Sequence, residues 1–308
     1  MQWQDLCYNT FGDFVKYIEK HPMIMIVVGV LGISLSSIFV KYSTAPSAVT
    51  AAYRLLWTVL LMTPAVFLKG QVRRELFRLP KKELLLSCLS GVFLAAHFFL
   101  WFESLSHTSV ASSTTIVCTE VIWVALGFCL FLKGKLSWKA VVAMGIAVLG
   151  SVAIAFSDSG TGGHLYGDLL ALLGAMAVAA YTLLGRVVRK TVSTTVYTYV
   201  VYSACSAALV ITCLAQGQDL FAYGFSAPVV GFLLAVFSTI LGHSIFSWCL
   251  KYFSPSFVSA SKLCEPVVAA VLAGFLFGEL PRPLQILGGL LILGGVFWYS
   301  RIENKQRK

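Results

Sequence analysis

Among the ionisable side chains within long apolar stretches of this 308-residue chain, seven are candidates: Arg54, His97, Glu103, Glu120, His243, Lys262 and Glu265. Such a group in hydrocarbon costs about 3 kcal/mol or more, so it faces a cavity or a partner. These residues are therefore where chemistry is sought first. Glu120 or Glu265 could carry a proton or hold an amino group, and Lys262 could hold a carboxylate. Lys262 and Glu265 are three positions apart, hence on one helical face and able to pair. The plainer account of them is a buried ion pair that locks a helix bundle. Pro266 removes a backbone hydrogen bond beside them, which predicts a kink that opens carbonyls to a cavity.

His97 and Trp101 are four apart and share a face. Trp101 could stack on a planar or cationic substrate, or simply pack or anchor at an interface. His97 and His243 titrate near neutral pH and could carry protons; hydrogen bonding to a neighbouring helix is the bland alternative. Arg54 keeps its charge, so it either holds an anionic group or ties helices together. Glu103 lies near the end of its apolar stretch and is expected to reach water. Tyr181, the run Ser112-Ser113-Thr114-Thr115 and Gly274-xxx-Gly278 read as close helix contacts.

The same inventory excludes much. There is no HExxH, no GxSxG and no GxxxxGK[ST], so neither hydrolytic catalysis nor ATP drive is expected of this chain. Haem ligation by His97 and His243 has no supporting spacing. No cofactor and no metal are expected. The eight cysteines include no CxxC pair and sit mostly in apolar runs. They read as small apolar fillers, not as a disulfide or zinc framework.

The elements that hold these residues follow from composition. The chain is 58% hydrophobic and 12% charged, against about 25% charged in soluble proteins. A lipid bilayer must cover much of it. At ~20 residues per spanning helix, apolar runs near 23–41, 47–68, 84–105, 109–132, 138–157, 165–185, 194–215, 227–250, 256–278 and 283–300 predict ten spans. Before them, Trp3, Cys7, Phe11, Phe14 and Ile18 recur at helical spacing among Asp5, Asp13, Lys16 and Glu19. That is an amphipathic surface helix ending near Pro22. The first apolar run follows a polar lead without a basic start and reads as a retained helix.

With the N-terminus in the cytoplasm, nineteen of the 23 Lys and Arg fall on the cytoplasmic side and only Lys41 and Arg282 on the other, Arg54 and Lys262 being inside spans. Omitting one span would spoil this partition, so both termini are expected inside. The net charge of +10 is spread over many short loops. It is topogenic, and no nucleic-acid partner is expected.

The halves also resemble each other. Gly145-Ile-Ala-Val-Leu-Gly150 matches Gly289-Leu-Leu-Ile-Leu-Gly294. Cys118-Thr-Glu120 matches Cys264-Glu265, and His97 precedes Glu120 by 23 residues as His243 precedes Glu265 by 22. Five spans per half put the copies in opposite orientations, and the loop charges invert accordingly. Inverted repeats place a site near the bilayer midplane between them.

On these features the chain resembles the drug/metabolite transporter superfamily, EamA type. The resemblance covers roughly residues 23–300. It rests on the ten spans, the two halves, Arg54 within Ala-Ala-Tyr-Arg-Leu-Leu, and the segment from Cys264-Glu265-Pro266-Val267 to Phe277-Gly278-Glu279-Leu280 with Gln285 and the following glycines. The first copy departs from it, with Val121 where proline is usual and Lys135 where a loop glutamate is usual. The resemblance implies an all-α integral membrane protein working by alternating access on small organic substrates, often exported. The expected organisation is an amphipathic segment 1–22, repeats 23–157 and 158–300, and a basic tail 301–308. An amino acid or similar molecule is the leading cargo, because both signs of charge occur within the spans, with protons as a further partner. A lipophilic cation is the first alternative cargo; a channel or an intramembrane enzyme is the second class of reading. Monomer and dimer both stay open.

Overall fold

The computed structural model describes residues 19–40, 42–108, 110–158, 165–277 and 282–307. The expected amphipathic lead through Ile18 and residues 278–281, with Gly278 of the Gly274-xxx-Gly278 match, lie outside the described residues. The described residues form ten helical spans and a short helix, Gly70–Phe77, between the second and third, with no strand among them. A bilayer offers no water to unpaired backbone groups, and helices satisfy theirs internally.

Span one is Met23–Ser34 continued by Ser36–Val40, span two Ser47–Phe67, span three Lys81–His107, and span four Val110–Cys118 followed by Glu120–Leu130. Span five is Trp138–Asp158, span six Leu165–Val188 and span seven Thr194–Ala215. Span eight is Ser226–Cys249, span nine Pro255–Lys262 followed by Glu265–Phe277, and span ten Pro283–Arg307. Eight of them are long and apolar enough to cross a membrane by themselves; span five supplies a shorter apolar stretch, Trp138–Ile154, and span nine is divided. Leu60, Leu149, Ile211, Leu290 and Phe297 point outward and exposed, as a lipid-facing surface requires.

The spans pack with a pseudo-twofold exchange of halves. Span three packs on spans six and seven, and its counterpart, span eight, packs on spans one and two. Span four meets span six as span nine meets span one, while two and seven, four and nine, and five and ten meet each other. The five/ten contact shows the symmetry at atomic level. A Cβ on Gly150 would sit 2.5 Å from the Gly288 carbonyl oxygen and 2.9 Å from the Ile292 nitrogen. One on Gly295 would sit 2.7 Å from the Ala143 carbonyl oxygen and 2.9 Å from the Ala147 nitrogen. Positions 143, 147 and 150 each precede their counterparts 288, 292 and 295 by 145 residues. This corrects the glycine match by one position. Gly150 pairs with Gly295 rather than Gly294, because the seam selects glycines by backbone approach. Gly145 and Gly294 face open space.

Two helix breaks fall on the same register. Span nine breaks at Leu263 and Cys264, whose N–H groups turn back to Ala260 and Ser261. Pro266 then opens the second half, as its missing donor predicts. Span four breaks at Thr119, 145 positions earlier, without any proline. There the Thr119 amide and hydroxyl both donate to the Ile116 carbonyl, at 3.0 and 2.6 Å. Glu120 and Glu265 each begin a new half-helix, where the positive end of the helix dipole favours a carboxylate.

Candidate functional site

The two breaks face one cavity with about 620 Å³ of empty volume counted out to its open side. Seven of the sequence candidates, Arg54, His97, Trp101, Glu120, His243, Lys262 and Glu265, line it. The register of 145 relates the lining residues: Ile33 corresponds to Val178, Thr114 to Ser259, Val117 to Lys262, Cys118 to Leu263 and Glu120 to Glu265. Thr114, Ser259, Cys118 and Ser36 are lining residues that the sequence reading passed over. Thr114 lay within a run read as packing, and that reading holds for its neighbour Ser113, which meets Ser104 at 2.5 Å.

The charged groups divide into a pair and two singles. Lys262 Nζ donates to Glu120 Oε1 at 2.9 Å, with both side chains nearly buried. This corrects the expected Lys262–Glu265 pair. The helix break between those residues removes the regular three-residue spacing, and Lys262 reaches across to span four instead. Glu265 makes no hydrogen bond or ion pair among the described residues.

Arg54 is 1% exposed. Its Nε donates to Thr239 Oγ1 at 2.7 Å and its Nη1 to Ser36 Oγ at 3.4 Å, so it ties span two to spans eight and one. Its guanidinium lies 4.2 Å over the Phe98 ring. No carboxylate pairs with it among the described residues. Thr239 sits in a π-helical stretch, Leu234–Ser244, and its hydroxyl donates five residues back to Leu234. Wide turns of this kind often mark functional positions.

His97 Nδ1 lies 3.0 Å from the Gly174 carbonyl. A carbonyl only accepts, so Nδ1 carries the hydrogen and Nε2 of the neutral ring is an acceptor. The ring stacks on Trp101 with 5.9 Å between centroids and 11° between planes. Trp101 Nε1 and His243 Nδ1 are buried without a partner among the described residues. His243 packs edge-on to Phe98 at 5.4 Å. Phe98, not His97, is its counterpart in the register of 145. The two histidines share the cavity but do not occupy equivalent places.

Other candidates lie elsewhere. Glu103 is partly exposed and 3.3 Å from His107. Tyr181 is buried with its hydroxyl 2.8 Å from Ser247. The described cysteines are all free, and no group of three or more His, Cys, Asp or Glu could hold a metal among the described residues.

Ten spans in two inverted halves around a polar central cavity define a multi-pass membrane protein of the transporter class. The profile of the EamA-like transporter family matches twice, over residues 21–156 and 165–301, and the chain belongs to that family. Uncharacterized transporter YxxF of Bacillus subtilis is 25% identical over 285 residues, 90% of this chain and 87% of its own. Uncharacterized transporter YwfM of the same organism is 24% identical over 278 residues, 85% of this chain and 88% of its own. A third, YdfC, is 24% identical over 202 residues, so the match spans only 65% of either chain. A crystal structure of another protein aligns over 94% of this chain and 99% of its own with a TM-score of 0.74 at 16% identity, a likeness of fold alone.

Proposed function

We propose that this transporter is a secondary carrier that exports a small organic metabolite, an amino acid or a similar molecule, across the plasma membrane by alternating access, with both termini in the cytoplasm. One observation carries the reading. Charged groups of both signs gather at a single cavity between two oppositely oriented repeats, the arrangement in which rocking of one half against the other exposes a fixed site to each side in turn. The orientation rests on the basic loops, and export on the family resemblance.

Coupling is assigned to protons at Glu265. Its carboxylate lines the cavity without a hydrogen-bonding partner among the described residues, so it is free to take a proton or an amino group. Everted vesicles with an imposed pH gradient test this. Glu265→Gln should abolish pH-driven amino-acid flux, and unchanged pH-driven flux would remove Glu265 from the role. A lipophilic-cation cargo is disfavoured because it would meet Glu265 but leave the buried Arg54 in the cavity wall without a counter-ion.

A further inference from the structure

Besides His243 Nδ1 and Ser259 Oγ, which are buried without a hydrogen-bond partner among the described residues, the cavity holds unmet needs of opposite charge. On one side are donors without acceptors. The Nη2 group of Arg54 has none among the described residues, since only Nε and Nη1 are engaged. Trp101 Nε1, which can only donate, is buried with none either. On the other side is an acceptor without donors, the Glu265 carboxylate. Lys262 does not serve either need, because Glu120 already neutralises it at 2.9 Å.

A fully buried guanidinium without a counter-ion is costly. The face of Arg54 is covered by Phe98 at 4.2 Å, which leaves its edge as the place for an anion. A planar fork of N–H groups fits a carboxylate. We infer that Arg54, with Trp101, is the anchor for the substrate's carboxylate, that Glu265 receives its ammonium, and that the Glu120–Lys262 pair is an internal tie rather than a ligand. The substrate class is then a zwitterion with both charges on one small molecule. This deepens the transport reading of the same cavity and rests on it.

Calorimetric titration of the full chain in detergent tests the assignment. The probes are the proteinogenic L-amino acids and, for each binder, its methyl ester and its deaminated acid. The wild type is expected to bind at least one amino acid, with ester and deaminated acid each about 100-fold weaker. Arg54→Gln should weaken the amino acid about 100-fold and leave the ester unchanged. Glu265→Gln should leave the deaminated acid unchanged. The double variant Glu120→Gln, Lys262→Met should bind the amino acid within about fivefold of wild type. No bound amino acid, an ester weakened as much as the amino acid by Arg54→Gln, or a double variant that no longer prefers amino acid to ester would each overturn the assignment. Should Arg54→Gln not fold, the double variant and the Glu265→Gln series decide alone. Amino-acid flux that persists while these ratios fail overturns the anchor assignment and leaves transport standing. The expected ratios without flux do the reverse.

Discussion

The seam between spans five and ten and the cavity between spans four and nine both lie where the two halves meet, yet they use the meeting differently. At the seam, Gly150 and Gly295 make the same backbone approach, each onto a carbonyl and an amide 145 positions from the other's. In the cavity the backbone breaks repeat, and so do Glu120 and Glu265 that follow them, but other side chains do not. Val117 stands where Lys262 stands in the other half, and Phe98 where His243 does. A contact that only holds two like halves together gains from being identical in both. A site for one asymmetric molecule cannot be identical in both, since its two ends differ. The departures from symmetry make the two ends of the cavity differ.

The largest expected effect comes from breaking the asymmetric pair. Lys262→Met leaves Glu120 nearly buried and unpaired and should destabilise by about 3–5 kcal/mol, read as a large fall in melting temperature in detergent. Adding Glu120→Gln should recover most of it; no recovery would mean that Lys262 stabilises through something other than its charge. Next comes the seam. Gly150→Leu and Gly295→Leu should each cost about 1–3 kcal/mol through overpacking, and the two costs should agree. Gly145→Leu, into open space, should change little. A seam in which only one glycine is intolerant would break the symmetry argument. The smallest effect is reserved for Val121→Pro. Interior proline costs about 3 kcal/mol. Here the helix has already broken two residues earlier, at Thr119, so the loss should be under about 1 kcal/mol, matching the natural Pro266.

How far these features could be read in advance depended on the physics behind each. Span number followed from composition and loop charge, because the bilayer imposes a length and a polarity that side chains must obey. The break at Pro266 was legible because proline lacks a donor. The break at Thr119 was not, because a threonine hydroxyl turning back on Ile116 leaves no signature distinct from ordinary helix. Arg54, His97, Glu120, His243, Lys262 and Glu265 were picked out by the cost of burying charge and Trp101 by the face it shares with His97; that they line one cavity is seen only in the fold. Which of them pair was not legible either. Spacing alone favoured Lys262 with Glu265, whereas Lys262 crosses to Glu120 once the helix between 262 and 265 opens. The partners of Arg54, Thr239 and Ser36, were invisible for a similar reason: single hydroxyls in apolar runs gain meaning only from what the fold sets beside them.

Cys118 offers the most direct test of a central cavity that opens to both sides. It lines the cavity and is paired with Leu263 across the repeats. In a variant that keeps Cys118 and replaces the other cysteines by alanine, a membrane-impermeant maleimide is added to right-side-out or inside-out vesicles. Labelling is expected from both faces, with the same behaviour for Leu263→Cys in a background where Cys118 is also alanine. Labelling of either position from one face only under every condition, or from neither, would contradict alternating access through this site.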